Sequence, residues 1–122
     1  MKIRIQRDSV RIRLSRKEVE QLCTEGLVAE STYFGNSSFG YAVSKTLDSE
    51  QLAATFSNNQ ITVLVPSHLL SNWITNDVIG FEASMPTGET RSLYILVEKD
   101  FKCLDNTTED QSDNYDNPHK TC

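Results

Sequence analysis

The order of short segments along the chain is the feature that most constrains its fold. KIRIQ and SVRIRL, within residues 2–14, alternate apolar and polar residues, and QRDS between them supplies a turn. Alternation at period two around a turn is typical of a β-hairpin. A helical segment and two further strand-like segments follow, and residues 51–98 repeat this order. The sequence therefore predicts two ββαββ units.

The signals at the helix ends predict one short helix in each unit. Ser15 and Glu18 form a capping box, in which each side chain accepts a hydrogen bond from the backbone N–H of the other residue. Gly26 suits the left-handed turn that ends a helix. In the second unit Pro66 stands at a helix start, where its missing N–H costs nothing. The apolar stripes are Val19, Leu22 and Cys23 in the first helix, and Leu69, Leu70, Trp73 and Ile74 in the second.

The two units also match in sequence position. An offset of 51 residues aligns their middle parts without a gap, and eight apolar positions then coincide. Such a coincidence indicates an internal duplication of residues 1–47 and 51–98. The aligned pairs are Val10 with Ile61, Ile12 with Val63, Leu14 with Val65, Val19 with Leu70, Leu22 with Trp73, Cys23 with Ile74, Leu27 with Val78, and Val28 with Ile79.

One ββαββ unit exposes an apolar sheet face and two sheet edges, which a second unit would cover. We therefore expect a single α+β, mainly β domain over residues 1–104. Its two halves and two short helices would form a small closed or partly open β-barrel, or alternatively a sandwich. Residues 105–122 contain five acidic residues and no aliphatic ones, which predicts an acidic, flexible C-terminal tail.

Charge is distributed unevenly along the chain. Residues 1–17 hold seven of the twelve Lys and Arg side chains and one acidic residue, although the formal net charge of the whole chain is −5. Strand alternation places the basic residues of the first hairpin on one face. That outward face consists of Lys2, Arg4, Arg11 and Arg13, and the inward face of Ile3, Ile5, Val10, Ile12 and Leu14.

These four basic side chains are candidates for binding an anion or a partner. Alternate residues of a strand stand about 7 Å apart, near the phosphate spacing along one nucleic-acid strand, and arginine suits bidentate contacts with phosphate or carboxylate. The pattern fits nucleic acid and equally fits an acidic protein partner. It also fits an exposed hairpin face that the chain's own acidic residues neutralise. The sequence leaves these alternatives open.

A second group of candidates lies near the C-terminus. Cys103, His119 and Cys122 offer two thiolates and one imidazole, which are ligands for zinc or iron. A CxxC pair is absent, so we expect no cofactor and keep a small Cys/His metal-binding protein as an alternative.

Several function classes find no support in the sequence. We find no G-x-S-x-G, H-E-x-x-H, phosphate-loop or dinucleotide-binding pattern, so no enzymatic activity is expected. The apolar runs are far shorter than the 18 or so residues of a membrane span, and no signal peptide is apparent. An odd number of cysteines then favours free thiols or a metal over disulfides. These features predict a cytoplasmic protein without membrane contact.

The whole chain resembles a family of small bacterial proteins known as a domain of unknown function. The resemblance rests on the opening MKIRIQRDSVRIRLSRKEVEQL, the central ITVLVP, and the later ILVEKDFKCLDN and NPHKTC. It implies a bacterial, stand-alone cytoplasmic protein, and it implies no activity, substrate or catalytic residue.

A partial resemblance concerns each passage from strand to helix to strand. RIRLSRKEVEQL leading to GLVAESTYF, and ITVLVPSHLLSNWI leading to DVIGFEAS, are similar to the swapped-hairpin units of AbrB-like regulators and MazE-like antitoxins. The similarity implies a DNA-binding regulator that uses Arg11 and Arg13.

The sequence as a whole favours a non-catalytic binding or protein-interaction module with an unknown protein partner, present as a monomer or a homodimer. Nucleic acid is disfavoured as the partner by the net acidity of the chain. The AbrB-like regulator that would use the basic N-terminal hairpin remains the first alternative, and the metal-binding protein the second.

Overall fold

A computed structural model describes residues 1–101, 112–113 and 115–116 of the chain. The described part contains eight strands, one α-helix and one short 3-10 helix. The strands are β1 (Lys2–Ile5), β2 (Ser9–Leu14), β3 (Leu27–Tyr33), β4 (Ser38–Thr46), β5 (Ala53–Ser57), β6 (Gln60–Pro66), β7 (Gly80–Pro86) and β8 (Ser92–Lys99); the α-helix α1 is Arg16–Glu25 and the 3-10 helix is Ser67–Leu70.

The eight strands form two four-stranded sheets. The first sheet has the order β1-β2-β8-β7 and the second has the order β3-β4-β6-β5. Four antiparallel hairpins supply the strands, and in the centre of each sheet two hairpins meet through a parallel pair, β2 with β8 and β4 with β6. Each half of the chain therefore contributes one hairpin to each sheet. This strand order is compatible with an internal duplication, which stays a prediction.

The local signals in the sequence form the expected turns and caps. Asn58 and Asn59 join β5 to β6 with φ angles of 52° and 59°, as a two-residue hairpin turn requires. Ser15 and Glu18 form both hydrogen bonds of the capping box, and Gly26 ends α1 in the left-handed conformation. The eight predicted strands and the first helix are confirmed.

The N-terminal ammonium group ties the capping box to both sheets. It donates to Glu18 Oε2 at 2.6 Å and to Glu30 Oε1 at 3.1 Å. Glu18 also accepts from the Ser15 backbone N–H at 2.8 Å through its other oxygen. The carboxylate of Glu18 therefore holds the start of β1 against α1, while Glu30 connects it to β3.

Both sheets contribute to one hydrophobic core. The core includes alternate residues of β2, β6 and β8, together with Val43 of β4 and Val19 and Leu22 of α1. Trp73 is fully buried, packs 4.8 Å from the Phe81 ring between centroids, and donates its indole N–H to the Val78 carbonyl oxygen at 2.9 Å. The buried side chains are Val10, Ile12, Leu14, Val19, Leu22, Val28, Val43, Leu52, Ala54, Ile61, Val63, Val65, Leu70, Trp73, Ile95 and Val97.

The expectation of a closed barrel is wrong for the described residues. The strands form two separate sheets, so each sheet retains two edge strands, β1 and β7 in the first and β3 and β5 in the second. Ile5, predicted to face inward with the core residues, is 55% exposed. It lies at the end of edge strand β1, where only Val10 of one neighbouring strand is beside it.

The second predicted helix is only a 3-10 helix of four residues followed by turns. Side chains that bond the local backbone explain this difference. Thr75 Oγ1 donates to the Asn72 carbonyl oxygen, and Asn76 Oδ1 accepts from the Val78 N–H. Such contacts compete with helical hydrogen bonds. Ile74, predicted for the apolar stripe, is 43% exposed as a result of this path.

The 51-residue offset fails at its last two pairs. Val78 and Ile79 precede β7 and are exposed, whereas Val28 lies in β3 and is buried. The strand registers show that Phe81 is the counterpart of Val28. The segment that leads into β7 is two residues longer than the segment that leads into β3, so the offset of 51 no longer applies there. In the second sheet Val28 is paired with Val43, which is paired with Val63. In the first sheet Phe81 is paired in the same way with Val97, which is paired with Ile12.

The predicted boundary at Leu104 and most of the predicted tail 105–122 lie outside the described residues. No helix in the described part is long and apolar enough to cross a membrane.

Replacing Gly80 with alanine should destabilise the protein. Gly80 begins β7 opposite Glu98 of β8, and a Cβ atom there would lie 2.7 Å from the Glu98 Cα and closer still to the Val97 carbonyl oxygen. These are backbone atoms, so the strands must separate. We expect Gly80→Ala to lower the free energy of unfolding by about 1–3 kcal/mol in urea denaturation.

Gly88→Ala is the matched control, because nothing lies within 4 Å of a Cβ atom built at Gly88. We expect its free energy of unfolding to stay within about 0.5 kcal/mol of the parent. Equal stability of the two variants would contradict the close approach of β7 to β8.

Glu18 should make the stability of the fold sensitive to acid. Burial raises the pKa of this carboxyl, but hydrogen bonds from the Met1 ammonium and from Ser15 outweigh it and lower the pKa below its ordinary value. A lowered carboxyl pKa stabilises the fold above the unfolded-state value of about 4.3, and this contribution is lost as pH falls through the folded-state value.

We therefore expect Glu18→Gln, with Met1 still the first residue, to lose less stability than the parent between pH 5 and pH 2. Urea unfolding midpoints across this range measure the loss. Glu20→Gln, at an exposed position of the same helix, should follow the parent. Parallel losses in all three proteins would show that Glu18 does not contribute in this way.

Candidate binding face of the first sheet

The structure brings the four predicted basic residues together on the side of the first sheet that faces away from the core. Lys2 lies opposite Arg13, and Arg4 lies opposite Arg11, on the paired strands β1 and β2. Directly opposite residues of an antiparallel pair have Cβ atoms about 5 Å apart. We call this set, Lys2, Arg4, Arg11 and Arg13, the basic half of the face.

The core determines this orientation. The inward positions of β2 are occupied by buried aliphatic side chains, so the intervening residues must point outward. Ile12 and Leu14 are fully buried, which fixes the outward direction of Arg11 and Arg13 between and beside them. A slip of one residue would bury both arginines.

Strand β8 adds a carboxylate to the same face. Its parallel register places Leu96 beside Arg11 and Glu98 beside Arg13. Glu98 Oε1 accepts from Arg13 Nε at 2.8 Å and from Arg11 Nη2 at 3.4 Å. The side chains of Glu98 and Arg11 are 14% and 19% exposed, so this ion pair is largely sheltered from solvent.

Strand β7 supplies a second carboxylate further across the sheet. Glu82 lies beside Leu96 and accepts a short hydrogen bond from the Tyr94 hydroxyl. This bond raises the pKa of Tyr94, since the hydroxyl proton is held by the carboxylate. We call Glu82 and Glu98 the acidic half of the face.

Ion pairs at the edges of the face involve more exposed groups. Lys2 Nζ lies 2.8 Å from Asp100 Oδ2, with the lysine side chain 73% exposed. Arg91 binds Asp8 at 2.7 Å and so connects the β1-β2 turn with the start of β8. Arg4 is engaged in an interaction as well. Every basic side chain of the face therefore has a partner.

The sequence identified the basic half but missed the acidic half as part of the same site. Glu98 is 85 residues from Arg13 in the chain, and only the parallel pairing of β2 with β8 joins them. The sequence signal for the acidic half was the excess of acidic residues after residue 17, and this excess did not indicate any particular residue. Two of those acids, Glu98 and Asp100, lie against the predicted basic residues.

The face suits binding by charge and hydrogen bonding. None of its four strands contains a histidine or a cysteine, so the groups presented are guanidinium, ammonium, carboxylate and phenol. Arg13 remains 47% exposed and Lys2 is more exposed still. A carboxylate or phosphate on a partner can reach both side chains from solvent.

The predicted metal ligands Cys103, His119 and Cys122 lie outside the described residues. Within the described ranges, no group of three or more His, Cys, Asp or Glu side chains is placed to hold a metal ion. Cys23 is a free, half-buried thiol.

Comparison with known proteins relates almost the entire chain to one family. A family model described as "Family of unknown function (DUF7009)" matches residues 1–119. No curated protein and no solved structure matches the chain. The predicted resemblance to a domain of unknown function is confirmed, whereas a bacterial origin and the likeness to AbrB and MazE stay predictions. The chain belongs to DUF7009, a family of unknown function.

Proposed function

We propose that this chain is a non-catalytic interaction module whose basic half binds an extended acidic segment of a partner protein. The observation that carries the proposal is the placement of Lys2, Arg4, Arg11 and Arg13 on two adjacent strands. Their outward side chains repeat about every 7 Å along each strand. An extended peptide with acidic residues at alternate positions has the same repeat.

The existing ion pairs of the face leave room for such a ligand. Arg13 uses its Nε atom toward Glu98, and a guanidinium group has five N–H donors in all. The pair of Lys2 with Asp100 involves a largely exposed lysine. Exposed ion pairs contribute about 0–1 kcal/mol, so a segment that offers several carboxylates at once can replace or extend them.

The acidic half favours a narrow ligand. Neighbouring strands are about 4.8 Å apart, so β1 and β2 together present a strip that one extended chain covers. A nucleic-acid duplex lying across the face would also bring phosphates toward Glu98 and Glu82. Like charges at such distances are unfavourable, and the net charge of −5 adds to the repulsion.

The DNA-binding alternative relies on the same arginines as the interaction module. The two proposals differ in which ligand the protein binds more tightly. A regulator of the AbrB type would bind duplex DNA through Arg11 and Arg13, with an affinity that falls steeply as salt rises. The interaction module binds the acidic peptide more tightly than it binds the duplex.

Binding of a fluorescein-labelled decaglutamate peptide at low salt, followed by fluorescence anisotropy, tests the proposal. We expect Arg4→Gln/Arg13→Gln to weaken binding about tenfold, because two contacts of up to about 1 kcal/mol are lost. Glu98→Gln should strengthen binding about two- to fivefold, since a competing carboxylate disappears from the face.

Arg16→Gln/Lys17→Gln is the charge-matched control. Both residues are exposed on α1, and the double variant has the same net charge as Arg4→Gln/Arg13→Gln. Equal weakening by the two double variants would show attraction by overall charge and would reject a site on the sheet. Tighter binding of a 20-base-pair duplex than of decaglutamate would favour the DNA-binding alternative.

The chain's own acidic residues provide a further comparison. Residues 105–122 carry five acids and one lysine and could compete for the basic half. Replacing Asp105, Glu109, Asp110, Asp113 and Asp116 with their amides in the full chain should leave the peptide affinity equal or higher. A lower affinity would show that these residues help to bind the peptide, contrary to the proposal.

A further inference from the structure

A cleft separates the C-terminal part of α1 from the segment that follows β6. Its volume is about 380 Å³, which lies within the range of small-molecule sites. The walls of the cleft come from α1, from the end of β4 and from residues 67–75, whereas the basic half lies on β1 and β2. Its lining consists of Cys23, Thr24, Lys45, Ser67, Leu70, Ser71, Asn72, Ile74 and Thr75.

Among the residues that the structure describes, the lining has a single charged group, and this group is a cation. Lys45 ends the core-facing row of β4, beside Val65, and its side chain extends past Gly26 with Cε 3.5 Å from where a Cβ atom on that glycine would lie. Within the described ranges Lys45 has no ion-pair partner, and no acidic residue lines the cleft.

The remaining lining groups fit the rest of a small organic anion. Ser67 and Ser71 provide hydroxyl groups in the same lining, and Leu70 and Ile74 provide apolar surface. The Thr24 hydroxyl already donates to the Glu20 carbonyl oxygen at 2.8 Å. A neighbouring groove on α1 offers a contrast, since two carboxylates, Glu20 and Glu25, line it together with Lys17. The cleft with Lys45 is therefore the part of this surface that favours negative charge.

Cys23 lies in the same cleft, and its thiol is exposed to the electrostatic potential there. Its thiol donates to the Leu70 carbonyl oxygen at 3.5 Å. Burial raises the pKa of the thiol, and the charges of Lys45 and Lys99 act against that increase. Two cations thus influence the sulfur atom, which makes it a chemical probe placed inside the cleft.

We propose that the cleft between α1 and residues 67–75 binds a small organic carboxylate. The carboxylate lies against Lys45 Nζ, neighbouring hydroxyl groups donate to it, and the hydrocarbon part rests on Leu70 and Ile74. This site is separate from the binding face of the first sheet, so either can fail without the other.

Alkylation of Cys23 by iodoacetate and by iodoacetamide tests the site. In both reactions the thiolate sulfur forms a bond to the methylene carbon, the carbon–iodine bond breaks, and iodide leaves; the thiol proton goes to the buffer. The reagents have nearly the same size, but only iodoacetate carries a carboxylate. Mass spectrometry of peptides measures both rates at Cys23.

We expect Lys45→Met to lower the ratio of the iodoacetate rate to the iodoacetamide rate at Cys23 about fivefold. The variant also changes the fraction of thiolate, but this change affects both reagents equally and cancels in the ratio. Lys17→Met, in the neighbouring groove, should leave the Cys23 ratio within about 1.5-fold of the parent.

The unsubstituted protein provides an independent measurement. The iodoacetate rate at Cys23 should saturate with reagent concentration, and isobutyrate should slow it more than sodium chloride does at the same ionic strength. A rate that stays linear and is insensitive to isobutyrate would overturn the proposal, as would equal ratios in the parent and Lys45→Met. Lys45→Gln replaces Lys45→Met if the methionine variant does not fold.

Discussion

The parallel pairing of β2 with β8 is the interaction on which the rest of the first sheet depends. It inserts the last strand of the described chain beside the second one, so that the N-terminal and C-terminal hairpins become one sheet. Ile12 of β2 and Ile95 and Val97 of β8 are fully buried along this seam. The two strands are far apart in the chain, and closing the long loop between them costs conformational entropy. The buried aliphatic rows of both sheets supply the compensating free energy.

The same pairing determines the chemistry of the outward face. Without β8 the outward face of the first hairpin would present the four cations and no carboxylate. With β8 in place, Glu98 shares one oxygen between Arg11 and Arg13 and gives the face a basic half and an acidic half. Gly80 permits β7 to approach β8 at this point, because a side chain there would collide with the backbone of Val97 and Glu98. The narrow acidic ligand that we propose would contact the basic half of this face without meeting the acidic half.

The second unit differs from the first at the position of the predicted helix. This difference determines the shape of the cleft between α1 and residues 67–75. The first unit has a ten-residue helix with both caps, whereas the second has a four-residue 3-10 helix and a series of turns. Trp73 still reaches the core and bonds the Val78 carbonyl oxygen, so the apolar requirement of the unit is met without a full helix. The segment 67–75 then forms one wall of the cleft that contains Lys45 and Cys23.

The sequence by itself determined the local structure, because its signals act over a few residues. Period-two alternation located the hairpins, the Ser15–Glu18 box began the helix, and burial of Ile12 and Leu14 was implied by the pattern that turned Arg11 and Arg13 outward. Only the tertiary structure decided which hairpins share a sheet, since an alternating strand fits many neighbours equally well. That choice placed Glu98 against Arg13, left Ile5 exposed on an edge strand, and put Phe81 rather than Ile79 in the place of Val28. Each of these outcomes depends on contacts between residues far apart in the chain, which no local pattern encodes.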